Sequence, residues 1–159
     1  MIDVQEAGDS TIIVITLSDV ASQASHVISL YKHCDRLPML IPMLFAGLER
    51  ITLNYNLGMR IRAAIRVPVI NRIFHATADC TCERHGDGWL IEGGTVGHDN
   101  DMDIYGTMAV TPTGDEKCHI LARLEVQRCP VPIEICRLIS WFLNPLLKPL
   151  VEHALKFVL

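Results

Sequence analysis

The sequence has no surplus of positive charge: 14 Lys and Arg stand against 18 Asp and Glu, for a net charge of −4. Nucleic-acid binders are usually basic, so no nucleic-acid partner is expected. Nor is there an uninterrupted apolar run of about 18 residues, the length a membrane-crossing helix requires. The nearest approach, residues 138–159, is broken by Asn144, Lys148, Glu152, His153 and Lys156. The opening residues, Met1-Ile2-Asp3-Val4-Gln5-Glu6, lack the basic-then-apolar layout of a secretory signal. The expectation that follows is a cytoplasmic protein whose 6 cysteines are reduced thiols. Repeats, low-complexity stretches and internal linkers are missing too, which points to one domain over residues 1–159.

What is present is apolar. Hydrophobic residues make up 50% of the chain and charged residues 20%, greasier than an average soluble domain. That excess has to be covered in a core, around a ligand, or against a membrane or partner. A chain of 159 residues buries roughly two-thirds of the surface it exposes when unfolded, so folding requires neither metal nor disulfide.

Residues 10–17 (STIIVITL) are β-branched and read as a strand. Ser18 or Asp19 can then cap a helix whose stripe is Val20, Ala24, Val27, Ile28 and Tyr31. Pro38 and Pro42 interrupt residues 37–48, which read as a short helix or an irregular segment. From Ile51 the period becomes two: Ile51, Leu53, Tyr55 and Leu57, then Met59, Ile61, Ala63, Ile65 and Val67. The cleanest alternation sets Phe74, Ala76, Ala78, Cys80 and Cys82 against His75, Thr77, Asp79, Thr81 and Glu83. Such alternation marks an antiparallel sheet with one covered face. A turn over residues 68–73 places Arg62 opposite Asp79 and Arg66 opposite His75. A short strand over 89–92 and two longer ones near 103–111 and 117–128 follow, the latter pair joined by Pro112-Thr113-Gly114-Asp115.

Residues 130–159 read as helix. Ile135, Leu138, Ile139, Phe142, Leu146, Leu150, Ala154 and Phe157 form its apolar stripe, and Pro145 and Pro149 predict a kink or break. A strand meander with one apolar face needs a cover, and only this helix is long enough. The expected fold class is therefore α+β, a curved antiparallel sheet of about seven strands wrapped around a long C-terminal helix.

The strand STIIVITL, the segment SDVASQASHVISLY, Leu37-Pro38 and Ile41-Pro42, the meander and the final PIEICRLISWFLNPLLKPLVEHALKFVL together resemble the START-like superfamily. This group, also called helix-grip or SRPBCC, includes lipid-transfer and polyketide-cyclase-like proteins. The resemblance covers nearly the whole chain. It implies an apolar ligand such as a lipid or isoprenoid, or a cyclase or hydratase activity, and it carries no catalytic residue set.

The residues themselves argue for a cavity. The inner face carries Ala63, Ala76, Ala78, Cys80, Cys82 and Gly106, where a packed core would want Leu, Ile or Phe. The expected ligand-binding residues are Ile65, Ala76, Ala78, Cys80, Met108, Phe142, Leu146 and Leu150, with the apolar segment 39–45 as a lid or as core. The competing reading has Trp141, Phe142, Leu146, Leu150 and Phe157 filling the space, since interiors are normally close-packed.

Other motifs point to no metal and no cofactor. Cys80-Thr81-Cys82 with His85 has the wrong spacing for zinc, and buried thiols behave as small hydrophobes. His98-Asp99-Asn100-Asp101-Met102-Asp103 starts like a calcium loop but has Ile104 and Val110 at its sixth and twelfth positions, so it reads as a solvated acidic turn. Gly93-Gly94-Thr95-Val96-Gly97 reads as a strand break or bulge. Arg60, Arg62 and Arg66 read as a solvated face neutralised by Asp79, Glu83 and His75. Asp103, Tyr105, Glu92, Glu125 and His119 are the candidate acid–base groups, with Tyr105 and Glu125 opposite the inner face. Binding or transport of a hydrophobic small molecule is thus the leading reading, with an enzyme of the cyclase or hydratase kind as the alternative. A third reading uses the final helix for peripheral membrane contact or a homodimer.

Overall fold

A computed structural model describes residues 1–157. The chain begins with a hairpin, β1 (Ile2–Ala7) and β2 (Ser10–Val20), and continues into helix α1 (Ala24–Lys32). A 3-10 turn (Cys34–Arg36) and the single-turn helix α2 (Leu37–Leu40) lead into six strands. These are β3 (Phe45–Thr52), β4 (Met59–Val67), β5 (Arg72–His85), β6 (Gly88–Thr95), β7 (Asp103–Gly114) and β8 (Lys117–Gln127). Helix α3 (Ile133–Lys156) ends the described chain.

All eight strands form one antiparallel sheet in the order β1-β2-β8-β7-β6-β5-β4-β3. The sequence suggests about seven; the extra one is β1, whose only two inward apolar residues, Ile2 and Val4, are too few to give a period. Pairing of β2 with β8 joins the two ends of the chain, and α3, which follows β8, then lies over the same face as β1. Two side chains clamp it there. Asn144 accepts the Ile2 N–H and donates to the Ile2 carbonyl, and the Glu152 carboxylate accepts the Ala21 N–H at 2.7 Å.

Several local expectations give way to long-range pairing. Ser18 and Asp19 do not cap a helix: β2 runs on through a bulge to Val20, which pairs with Cys118 and is fully buried. Helix α1 starts later, behind Gln23, and buries Val27, Ile28 and Tyr31. Strand β3 starts at Phe45 rather than Ile51, and residues 53–58 form the turn to β4. The β4–β5 turn is tighter than the sequence suggests, residues 68–71, so Arg60 rather than Arg62 faces Asp79, and Arg66 faces Ile73. A slip of two leaves every side chain on its expected face. Gly93 and Gly94 make no bulge; they pair in regular register within β6 with Cys80 and Asp79. Helix α3 runs its 24 residues through Pro145 and Pro149 without a break.

The acidic turn is tied down rather than merely solvated. Beyond Thr95 strand β6 no longer covers β5, and the loop replaces it. The Thr77 N–H donates to Asn100 Oδ1 and the His75 N–H to Asp101 Oδ2, each at 2.7 Å. Loop amides of Val96 and Asp101 return the bonds to the carbonyls of Thr77 and His75. Buried backbone groups need partners, and here carboxamide and carboxylate stand in for a strand.

The buried residues include two packed clusters. Leu17, Val20, Val27, Val110, Cys118, Ile120 and Leu155 form one cluster, and Ile28, Tyr31, Cys34, Met59, Cys82 and Ile91 a second. No helix among the described residues is long and apolar enough to cross a membrane.

Candidate ligand-binding cavity

Beside those clusters the covered face of the sheet carries small side chains. Cross-strand register brings them into rows. One row runs Cys80–Gly93–Gly106–Leu124, and beside it Ala63 pairs with Ala76 and Met108 with Ala122. Glycines in the middle of a strand weaken it and usually mark a close approach. Here a Cβ on Gly93 would lie 2.8 Å from Cys80 Sγ, and one on Gly106 would lie 2.6 Å from Leu124 Cδ2. Neighbouring side chains lean over the glycines, and space opens beyond them.

That space has two adjoining lobes. The first, about 300 Å³, is lined by β4 to β8 through residues that include Ala76, Ala78, Cys80, Gly106 and Ala122. The second, about 280 Å³, lies between the β1-β2-β8 side of the sheet and the N-terminal half of α3. Its helix wall is Cys136, Ile139, Ser140 and Leu143, and Leu44 and Val131 close its sides. Ile65 and Leu124 line both lobes. Ala78, Cys80, Gly106, Met108 and Ala122 retain accessible surface although they sit mid-sheet on the covered face, whereas Phe74, Cys82, Val110, Ile120 and Val126 around them are buried. Close packing would bury the centre first.

Of the eight residues named from the sequence, Ile65, Ala76, Ala78, Cys80 and Met108 stand on these walls. Phe142 and Leu146 turn outward, 39% and 37% exposed, as does Trp141 at 73%. Leu150 is half-buried and lines neither lobe. Helix α3 presents the face through Ile139, Leu143, Leu147 and Val151 instead. Because the apolar arc of α3 is wider than the sheet covers, hydrophobicity alone leaves its rotation open, and the Asn144 and Glu152 hydrogen bonds hold the observed one. Segment 39–45 contributes only Leu44 to the walls, while Met39 is exposed. Reasoning from sequence missed the contribution of Ile2, Val4, Ile13 and Ile15, which becomes visible only once β1 is recognised as a strand.

The walls are chemically quiet. Among the described residues no Asp, Glu, His or Tyr lines either lobe, and Arg66 is the one charged residue that does. Burial, then the neighbouring Asp79 charge, pushes the Cys80 thiol up, so it stays protonated and apolar in character. Tyr31 is held by its hydroxyl, which donates to the Leu57 carbonyl at 2.9 Å, and burial pushes its ionisation up. The candidate acid–base groups are engaged elsewhere. Asp103 chelates Arg128 with bonds of 2.8 and 3.1 Å, and the Arg128 hydrogen bond holds its carboxyl below the ordinary range. Glu125 accepts from Ser10 and pairs with Arg123, His119 meets Ser18, and Tyr105 is exposed. Glu92 pairs with Thr81 and Thr107 on the convex face. Arg60 forms a bidentate pair with Asp79, Arg62 approaches Glu49 at 3.8 Å, and Arg66 stands opposite Ile73 rather than His75. Among the described residues no three His, Cys, Asp or Glu side chains converge as metal ligands. A broader depression of about 900 Å³ beside α1 is lined by Asp115, Glu116, Lys117 and Lys156, charges of both signs that offset one another.

An eight-stranded sheet wrapped on a C-terminal helix, with a cavity between them, has counterparts among solved structures. A START superfamily protein from Mycobacterium smegmatis superposes with a TM-score of 0.71 at 14% identity, over 93% of this chain and 99% of the other. The fold is START-like. Human STARD10 matches this START-like fold at a TM-score of 0.71 and 13% identity, over 98% of this chain and 74% of the other. The Zhui aromatase/cyclase from Streptomyces matches at 0.69 and 10% identity, over 94% and 93%. No protein-family model matches the chain, and neither does any curated protein sequence. At such identities the START-like likeness is one of architecture.

Proposed function

We propose that this START-like chain binds, and in doing so carries, a hydrophobic small molecule of the lipid or isoprenoid kind between its sheet and α3. The carrying observation is the pair of adjoining apolar lobes, about 300 and 280 Å³, in the part of the molecule where close packing fails. Each lies near the lower limit of ligand pockets, roughly 300–1,000 Å³, and their shared walls offer an elongated apolar molecule one continuous path. Cyclase or hydratase chemistry requires a positioned acid or base at the substrate. Walls without Asp, Glu, His or Tyr favour holding over converting.

Native mass spectrometry of purified, delipidated protein against a panel of single-chain lipids and isoprenoids tests this. The expected result is a one-to-one adduct with at least one apolar class. Ala122→Phe, which fills the first lobe, abolishes it. A protein that takes up no member of the panel overturns the proposal.

A further inference from the structure

Two of the cysteines meet at the wall of the second lobe. Cys34, Cys82 and Cys118 are buried in the packed clusters and Cys80 lines the first lobe, whereas Cys129 and Cys136 are half-buried and line the second. Cys129 lies just past β8, and Cys136 in the first turn of α3. Both Sγ atoms donate to one acceptor, the Val131 carbonyl, at 3.4 and 3.7 Å, and the two thiols also hydrogen-bond each other. The chain that joins them is stiff. Arg128 turns it with a left-handed φ of 53°, and Asp103 grips the Arg128 guanidinium with two bonds. Few residues other than glycine adopt that conformation, and those that do are held in it by their surroundings. Pro130 and Pro132 fix their own φ, and the Pro132 carbonyl accepts the Ile135 and Cys136 N–H groups that open α3. Backbone, rather than two mobile side chains, brings the thiols together. Among the described residues, Asn144 and Glu152 supply the side-chain hydrogen bonds that tie α3 to the sheet and the segment beside it. Residues 133–143, which roof the second lobe, supply none.

We infer that Cys129 and Cys136 are a redox-modification site, which a small-molecule disulfide such as oxidised glutathione converts to a reversible disulfide that locks the helix wall of the second lobe. In this exchange one protein thiolate attacks the small disulfide and releases one small thiol. The other protein thiolate then attacks the mixed disulfide, the Sγ–Sγ bond forms, and the second small thiol leaves. Both protein protons end on the released thiols. The protein sulfurs lose two electrons, and the small disulfide gains them. Burial, then the neighbouring Cys129, pushes the Cys136 thiol up to about 11, so exchange speeds up as the pH rises toward that value. A lobe with a pinned wall takes up and releases its ligand slowly. That last consequence rests on the binding function proposed above; the disulfide and the lock do not.

The test treats reduced, reductant-free protein with oxidised glutathione at mildly alkaline pH and reads intact mass and a peptide map. Wild type is expected to lose two hydrogens, to yield a cross-linked Cys129–Cys136 peptide, and to return to the dithiol with dithiothreitol. Cys136→Ser is expected to stop at a glutathione adduct on Cys129. Wild type that carries only glutathione adducts, pairs other cysteines or does not react overturns the site. Amide hydrogen exchange over residues 133–143 reads the lock without any ligand. It is expected to slow about tenfold on oxidation of wild type, as local opening is suppressed, and to stay unchanged in treated Cys136→Ser. Equal exchange in the dithiol and the cross-linked protein overturns the lock. Release of the apolar fluorophore phenylnaphthylamine, followed by its fluorescence, is expected to slow by the same order, and equal release from the two forms overturns the control of ligand exchange. If neither form binds the fluorophore while the cross-link and the slowed exchange are present, the redox site stands and the failure belongs to the binding function.

Discussion

Glycines and thiols do different work at the residue scale. Gly88 and Gly106 look alike in the sequence, but their surroundings differ. A Cβ on Gly106 would press on the end of the Leu124 side chain, which can move into the empty lobe. A Cβ on Gly88 would collide with the Val110 carbonyl oxygen, and backbone cannot step aside. Gly106→Ala is therefore expected to cost about 1 kcal/mol and Gly88→Ala about 2–4 kcal/mol, read from urea denaturation. An equal cost would mean that the space beyond Gly106 is filled. Cys34 and Cys136 are both pushed up to about 11 from an ordinary 9.0, chiefly by burial. A folded-state value above the unfolded one means that the native protein holds these protons longer. Their stabilising contribution is whole below pH 9.0 and is lost as the pH rises from there toward about 11. Denaturation midpoints measured between pH 8 and pH 11 in reductant should fall across that window, and the double variant Cys34→Ala, Cys136→Ala should flatten the fall. A midpoint that rises with alkalinity in wild type would contradict this.

Rotation of α3 is the decisive variable at the element scale. Its sequence supports two apolar stripes. One passes through Phe142, Leu146 and Leu150, the other through Ile139, Leu143, Leu147 and Val151, and the fold uses the second. Leu143→Ala is accordingly expected to cost about 2–4 kcal/mol and Leu146→Ala less than 1 kcal/mol, the difference between a buried and a half-exposed leucine. The reverse order in thermal or chemical melts would place the helix in its other rotation. Strand β5 is the contrasting case. Its strict alternation through Phe74, Ala76, Ala78, Cys80 and Cys82 leaves one choice of face, and the structure adopts it. An amphipathic strand has two faces to choose between, whereas a helix with a wide apolar arc has a range of rotations.

For the molecule as a whole, the question is whether the small-residue rows leave space or merely pack differently. Over-packing a filled core costs roughly 1–3 kcal/mol, whereas adding carbon to an existing void costs little. Ala122→Phe should therefore hold its melting temperature while losing ligand. The apolar excess, the period-two strands, the closing helix and the Ala-, Cys- and Gly-rich inner face were all legible in the sequence, because burial writes itself into local periodicity. Strand β1, the β4–β5 register, and the bonds that Asn100 and Asp101 accept along β5 were not. Each depends on partners far away in the chain: β1 on α3, Asn100 on Thr77, Asn144 on Ile2. Local pattern thus determined which faces turn inward, and only tertiary pairing decided how α3 lies over them and how much room remains beneath it.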